Sequence, residues 1–168
     1  MIKVVKFGGS SLASAEQFKK VGDIIHADEA RRFVVPSAPG KRFSKDIKVT
    51  DMLYGCYDLA AKGKDFENEF KAIKDRYYGI INELGLDLSL ENEFETIKAC
   101  FIGKAGRDYA ASRGEYLNGI VLANYLGYEF IDAADVIFFN DQGSFDAEKT
   151  QEILSKRIAD IERAVIPG

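Results

Sequence analysis

With 168 residues, 46% of them hydrophobic and 30% charged, the chain has the composition of one soluble globular domain with a proper core. Its net charge of −4 offers no concentrated basic surface, so neither nucleic acid nor an anionic membrane is expected as a partner. No apolar run approaches the roughly 18 residues of a membrane span, and Met1-Ile2-Lys3-Val4-Val5-Lys6 lacks the zones of a signal peptide, so a cytoplasmic location is expected.

Ile2 to Phe7 alternates and is rich in β-branched residues, which predicts a strand. Gly8-Gly9-Ser10-Ser11 breaks it, and Ser14 with Gln17 has the form of a capping box before a helix with Phe18, Val21, Ile24 and Ile25 inward. Arg32 to Pro36 reads as a short strand, and Ser37-Ala38-Pro39-Gly40-Lys41-Arg42 as an exposed loop. Thr50 reads as the N-cap of a helix carrying Met52, Leu53, Tyr57 and Leu59. From Lys64 to Leu84 the apolar residues recur at three- and four-residue steps, with Gly85 placed to end the helix. Two further helices are predicted, near Glu91 to Phe101 and from Arg107 to Leu126, the second stopped by Gly127. Tyr128 to Ile131 and Val136 to Phe139 read as strands, Ala147 to Arg163 as a helix, and Ala164 to Ile166 as a last strand. Strands separated by helices imply an α/β domain with a largely parallel sheet, and the helices over about 50–126 form an insertion-like cap on it. The chain stops at Ile166-Pro167-Gly168, where ligand loops emerge from such sheets, so a boundary inside a longer protein is expected.

Cys56 and Cys100 lie in apolar helical patterns without metal or redox spacing and read as reduced core thiols. His26 is the only histidine and reads as a surface helix residue, so imidazole chemistry is not expected, and no residue is assigned to a metal. Lys6-Phe7-Gly8-Gly9-Ser10-Ser11, leaving a strand and entering a helix, lets the backbone approach a ligand while free N–H groups and the helix dipole favour an anion. It reads as a phosphate cradle, with Lys6 able to follow the charge of a transferred phosphoryl group, or more plainly as a tight strand-to-helix turn. It fits neither the Walker pattern nor the dinucleotide fingerprint.

Five segments in order resemble the aspartate kinases of the amino acid kinase family. They are the opening Lys6 to Ser11, Val34-Val35-Pro36-Ser37-Ala38, Thr50-Asp51-Met52-Leu53, Ser112-Arg113-Gly114-Glu115, and the Asp-rich stretch from Asp132 to Asp141. The resemblance implies the family's three-layer α/β fold with helices on both faces of a largely parallel sheet, here truncated. Residues 1–168 would then be the amino-terminal, amino-acid-binding lobe, without the ATP lobe or regulatory domains. It implies ATP as co-substrate with Mg²⁺, L-aspartate as acceptor, and a homo-oligomer at full length. Lys6 would be catalytic, Lys6, Phe7, Gly8, Gly9 and Ser10 would hold the ATP phosphates, and Ser37, Thr50 and Glu115 would surround aspartate.

These roles suit the side chains. Hydroxyls at Ser37 and Thr50 can donate to a carboxylate, and Glu115 can pair with an ammonium group. Aspartate's β-carboxylate has a reference pKa of about 3.9 and is already an anionic nucleophile at neutral pH, so no base is required. Pro36 interrupts an apolar run and could shift the register at Ser37; without the resemblance, Glu115 reads as a solvated charge. Another family member, or a non-catalytic amino-acid-binding or oligomerisation domain, remains an alternative.

Overall fold

The structure is a computed structural model that describes residues 1–168. Strand β1 (Lys3–Phe7) leads through a 3-10 turn (Gly9–Leu12) to α1 (Ala15–His26) and β2 (Arg31–Pro36). Four helices follow: α2 (Val49–Ala61), α3 (Glu67–Glu83), α4 (Glu91–Ile102) and α5 (Arg107–Leu126). The chain closes with β3 (Glu129–Phe130), the short α6 (Ala133–Val136), α7 (Ala147–Ile158) and β4 (Ala164–Val165). The sheet runs β1-β2-β4-β3 and every pairing is parallel. This is the expected α/β sheet with helices on both faces.

Successive strand residues point to opposite faces. Val34 and Val165 therefore join a cluster of 27 buried residues with α1 to α5, against which Val5 packs, while Phe33 and Ala164 join a cluster of four under α6 and α7. In the larger cluster aromatic rings meet edge-on, Phe70 standing 5.9 Å from Phe94 and 6.2 Å from Phe101. Helix α5 is buried on several sides because two glycines admit neighbours. A Cβ at Gly114 would stand 2.7 Å from the Cβ of Ala38, and one at Gly119 would stand 2.9 Å from Pro167.

Several sequence expectations need correction. Helix α3 starts at Glu67 rather than Lys64, although Gly85 does follow its end with a φ of 68°. Residues Val136 to Phe139 are not a strand: the Asp132 carboxylate accepts from Ala134 N–H and starts α6, and only an isolated bridge joins Phe139 to Phe145. Helix α7 ends at Ile158 because the chain must turn to insert Ala164 and Val165 between β2 and β3. Ile24 is 48% exposed, lying beyond the edge of the buried stripe of α1. Cys56 is buried, with its thiol pushed up to about 12 by desolvation, but Cys100 is only half-buried. His26 is exposed at the end of α1.

Candidate active site

The site forms where β1 and β2 end and their following segments meet. Pro36 pairs with Phe7 in continuous register, and Ser37 N–H donates to Phe7 O at 3.0 Å; the one register irregularity lies back at Lys3 and Val4. Pro36 therefore causes no slip at Ser37. Beyond it the segment is not the exposed loop expected from its composition. Ala38, Pro39 and Gly40 are buried because they pack under the glycine turn, and exposure begins at Lys41.

Gly40 N–H donates to Gly9 O at 2.8 Å, and a Cβ at Gly9 would come within 2.8 Å of Ala38 O. Close backbone packing thus requires glycine at position 9. Gly8, with φ −76° and ψ 169°, has no atom within 4 Å of the place a Cβ would take, so its face is open to a ligand. The helix-dipole argument needs correction here. Only a four-residue 3-10 turn follows Gly8, and α1 begins at Ala15, where the Ser14 hydroxyl accepts from Gln17 N–H at 3.4 Å. The α1 dipole therefore does not start at the glycine turn.

Thr50 is not the N-cap of α2. Pro39 O accepts Val49 N–H at 3.1 Å, and the helix begins two residues earlier than expected, with Lys48 at the cap position and Val49 fully buried. Relieved of capping, the half-buried Thr50 lies in the first turn and lines the site. Glu115 reaches the same place from α5, where Gly114 packs against Ala38. Burial raises the Glu115 carboxyl above the ordinary glutamate value, partly opposed by backbone N–H groups of Glu115 and Ala38 and by the charge of Arg113.

Together Gly9, Ser10, Ser37, Thr50 and Glu115 line a cavity of about 440 Å³. Lys6, Phe7 and Gly8 do not. Lys6 is exposed on β1, on the opposite face of the sheet from Val5 and Phe7, and Phe7 packs against the main core.

Five lining residues lie outside the expected set, Ala38, Pro39, Gly40, Lys41 and Lys48, and the two lysines add positive charge to a cavity with a single carboxylate. The only signal of the two lysines was proximity to Gly40 and Thr50. Behind the lining, Asn118 Nδ2 donates to Ser37 O at 2.7 Å, the Tyr77 hydroxyl donates to Gly114 O at 2.8 Å, and buried Arg76 donates to Gly40 O at 2.9 Å. Arg76 could have been noticed as a charge set among Ile73, Tyr77 and Ile80 on the apolar stripe of α3.

A cavity with hydroxyls, ammonium groups and one desolvated carboxylate suits a small zwitterionic acid. Glu115 is its only carboxylate, and no three His, Cys, Asp or Glu side chains converge in the chain, so the residues present do not form an all-protein cation cage. No helix is long and apolar enough to cross a membrane.

The sequence profile of the amino acid kinase family matches residues 1–167. Aspartokinase 3 of Bacillus subtilis is 47% identical over 89 residues, 53% of this chain and 20% of that protein. Chloroplastic aspartokinase 1 of Arabidopsis thaliana is 33% identical over 133 residues, 73% of this chain and 23% of that protein. The solved aspartate kinase of Clostridium acetobutylicum superposes with a TM-score of 0.96 at 50% identity, covering 99% of this chain and 38% of that one. Escherichia coli aspartokinase III, solved with aspartate and ADP, shares the fold with a TM-score of 0.78 at 23% identity, over 99% of this chain and 40% of that one. The chain thus spans well under half the length of these relatives. The profile match across nearly every residue, together with the fold, shows that the chain belongs to the amino acid kinase family.

Proposed function

We propose that this chain is the amino-terminal, amino-acid-binding lobe of an aspartate kinase. The complete enzyme transfers the γ-phosphoryl of ATP to the β-carboxylate of L-aspartate, giving 4-phospho-L-aspartate, the first step towards lysine, threonine and methionine. The observation that carries this reading is the desolvated Glu115 carboxylate facing Ser37, Thr50, Lys41 and Lys48 in one cavity. In it Glu115 pairs with the substrate's ammonium group, while the hydroxyls and lysines hold its carboxylates. The residues Gly8, Gly9 and Ser10 present backbone to the ATP phosphates, and Lys6 reaches over the end of β1 to the transferred group. Mg²⁺ accompanies the nucleotide rather than a cage of protein carboxylates. Residues 49–126, the four helices between β2 and β3, form the helical insertion of this lobe.

The test is ATP-dependent acyl phosphate formation, trapped with hydroxylamine, by the full-length enzyme and by residues 1–168 alone. The expected result is aspartate phosphorylation by the full-length enzyme and none by the lobe. In-line transfer tolerates misplacements well below about 1 Å, and the lobe alone does not hold the nucleoside. Absence of aspartate phosphorylation by the full-length enzyme would overturn the kinase reading. Turnover by the lobe within about tenfold of the full-length value would show that it holds both substrates unaided.

A further inference from the structure

We propose that Arg76 is a positioning residue, a clamp that fixes the turn after Gly9 and the segment from Ser37 to Lys48 against each other so that phosphoryl donor and acceptor meet in line. The inference rests on the kinase reading for its catalytic consequence, and on geometry for the clamp itself.

Arg76 does not line the cavity, yet its guanidinium joins both walls. Its Nη2 donates to Gly40 O at 2.9 Å and, more weakly, to Ala13 O at 3.4 Å; its Nη1 donates to Asp46 Oδ2 at 2.7 Å. Ala13 closes the 3-10 turn that follows the glycines, Gly40 lies in the cavity wall, and Asp46 stands near the far end of the same segment. Gly40 is thus held from both sides, its carbonyl by Arg76 and its N–H by Gly9 O. Asp46 is itself fixed, accepting from Arg42 N–H at 2.9 Å and from Arg42 Nε at 2.7 Å.

The side chains of Arg76 and Asp46 are 6% and 9% exposed. A buried ion pair is weak evidence for stability, since its desolvation offsets much of the attraction, and defining one geometry is its better-attested use. Only a planar fork of donors can serve three acceptors that diverge in this way. A lysine keeps the charge but meets fewer of them.

The experiment compares Arg76→Lys and Asp46→Asn with wild type in the full-length enzyme, measuring kcat, KM for both substrates, and amide hydrogen exchange. In Arg76→Lys, kcat should fall by about tenfold or more while both KM values stay within about threefold, the pattern of lost alignment rather than lost binding. Exchange should quicken in residues 9–13 and in 38–47 together, with α7 unchanged as the internal control. Asp46→Asn leaves the bonds to Gly40 and Ala13 in place and should lower kcat by only a few-fold, about threefold. It decides the matter if Arg76→Lys does not fold. Unchanged kcat in the folded variants, a loss confined to one KM, or, in Arg76→Lys, faster exchange in one wall only would each overturn the clamp. If wild type fails to phosphorylate aspartate, the kinase reading fails, and the exchange comparison alone still accepts or rejects the clamp.

Discussion

The two faces of the sheet carry unequal weight. One face is covered by five helices and a cluster of 27 buried residues; the other has α6, α7 and a cluster of four, and leaves Val4 67% exposed. The candidate site divides along the same line. Ser37, Thr50 and Glu115 stand where α2 and α5 close on the strand ends of the heavily packed face, and their positions are fixed by a large core. Lys6 lies on the thinly covered face, where little packing restrains a long flexible side chain. The proposed acceptor site thus rests on a large packed core, whereas the proposed catalytic lysine is exposed.

The sharpest test of this asymmetry is stability. Phe94, 1% exposed and ringed by Phe70, Tyr77 and Tyr78, should cost about 3–5 kcal/mol on truncation to alanine. Val136, fully buried in the small cluster, should cost only about 1.5 kcal/mol for its two lost methyl equivalents. Urea denaturation of both variants checks this, and equal losses would mean that the thin face is as cooperative as the packed one.

The same asymmetry explains what could be read from the sequence. Helices α3, α4 and α5 were legible almost to their ends because α3 and α4 lay apolar stripes on one large core, α5 is a long run buried in it on several sides, and Gly85 and Gly127 take left-handed φ values just past α3 and α5. On the thin face short-range bonds decide instead. The apolar run Val136 to Phe139 has the composition of a strand, but Phe138 N–H is captured by the Thr150 hydroxyl at 2.9 Å, a partner twelve residues away that no local pattern announces. Thr50 was misread for a related reason, since the cap of α2 is supplied by a distant carbonyl, Pro39 O. The motif residues around the cavity were visible, but Lys48, Arg76 and Asn118 were not, because their relevance comes from close approaches allowed at Gly9, Gly40 and Gly114.

Lys6 tests the functional half of the comparison. Replacing it with alanine in the full-length enzyme should raise the barrier by about 3 kcal/mol, the effect of removing one preorganised donor to developing charge, while KM for aspartate hardly changes. Steady-state kinetics at saturating ATP decide it. Wild-type turnover in Lys6→Ala would remove Lys6 from the mechanism and leave it as an exposed charge on an edge strand.

Glu115 should give the smallest of these effects and the most specific one. Glu115→Gln keeps the shape but loses the proposed ammonium partner, so aspartate binding should weaken by about 1.5–3 kcal/mol while ATP binding is unaffected. Burial holds the Glu115 carboxyl above the ordinary glutamate value, so it takes up a proton earlier as pH falls. Wild-type affinity for aspartate should therefore begin to fall at a pH above the normal glutamate range, and in Glu115→Gln that part of the pH dependence should vanish. The linkage to folding has the opposite sign. Because the folded protein holds this proton to higher pH than the unfolded chain does, ionising Glu115 costs stability as pH rises from its unfolded value through its folded one. The glutamine variant removes that cost and should be no less stable than wild type at neutral pH, so weaker aspartate binding cannot then be blamed on unfolding. Calorimetric titration of both ligands across pH, beside thermal melts, separates the two. Equal weakening of aspartate and ATP, or an unchanged pH profile, would return Glu115 to the role of a half-buried helix charge.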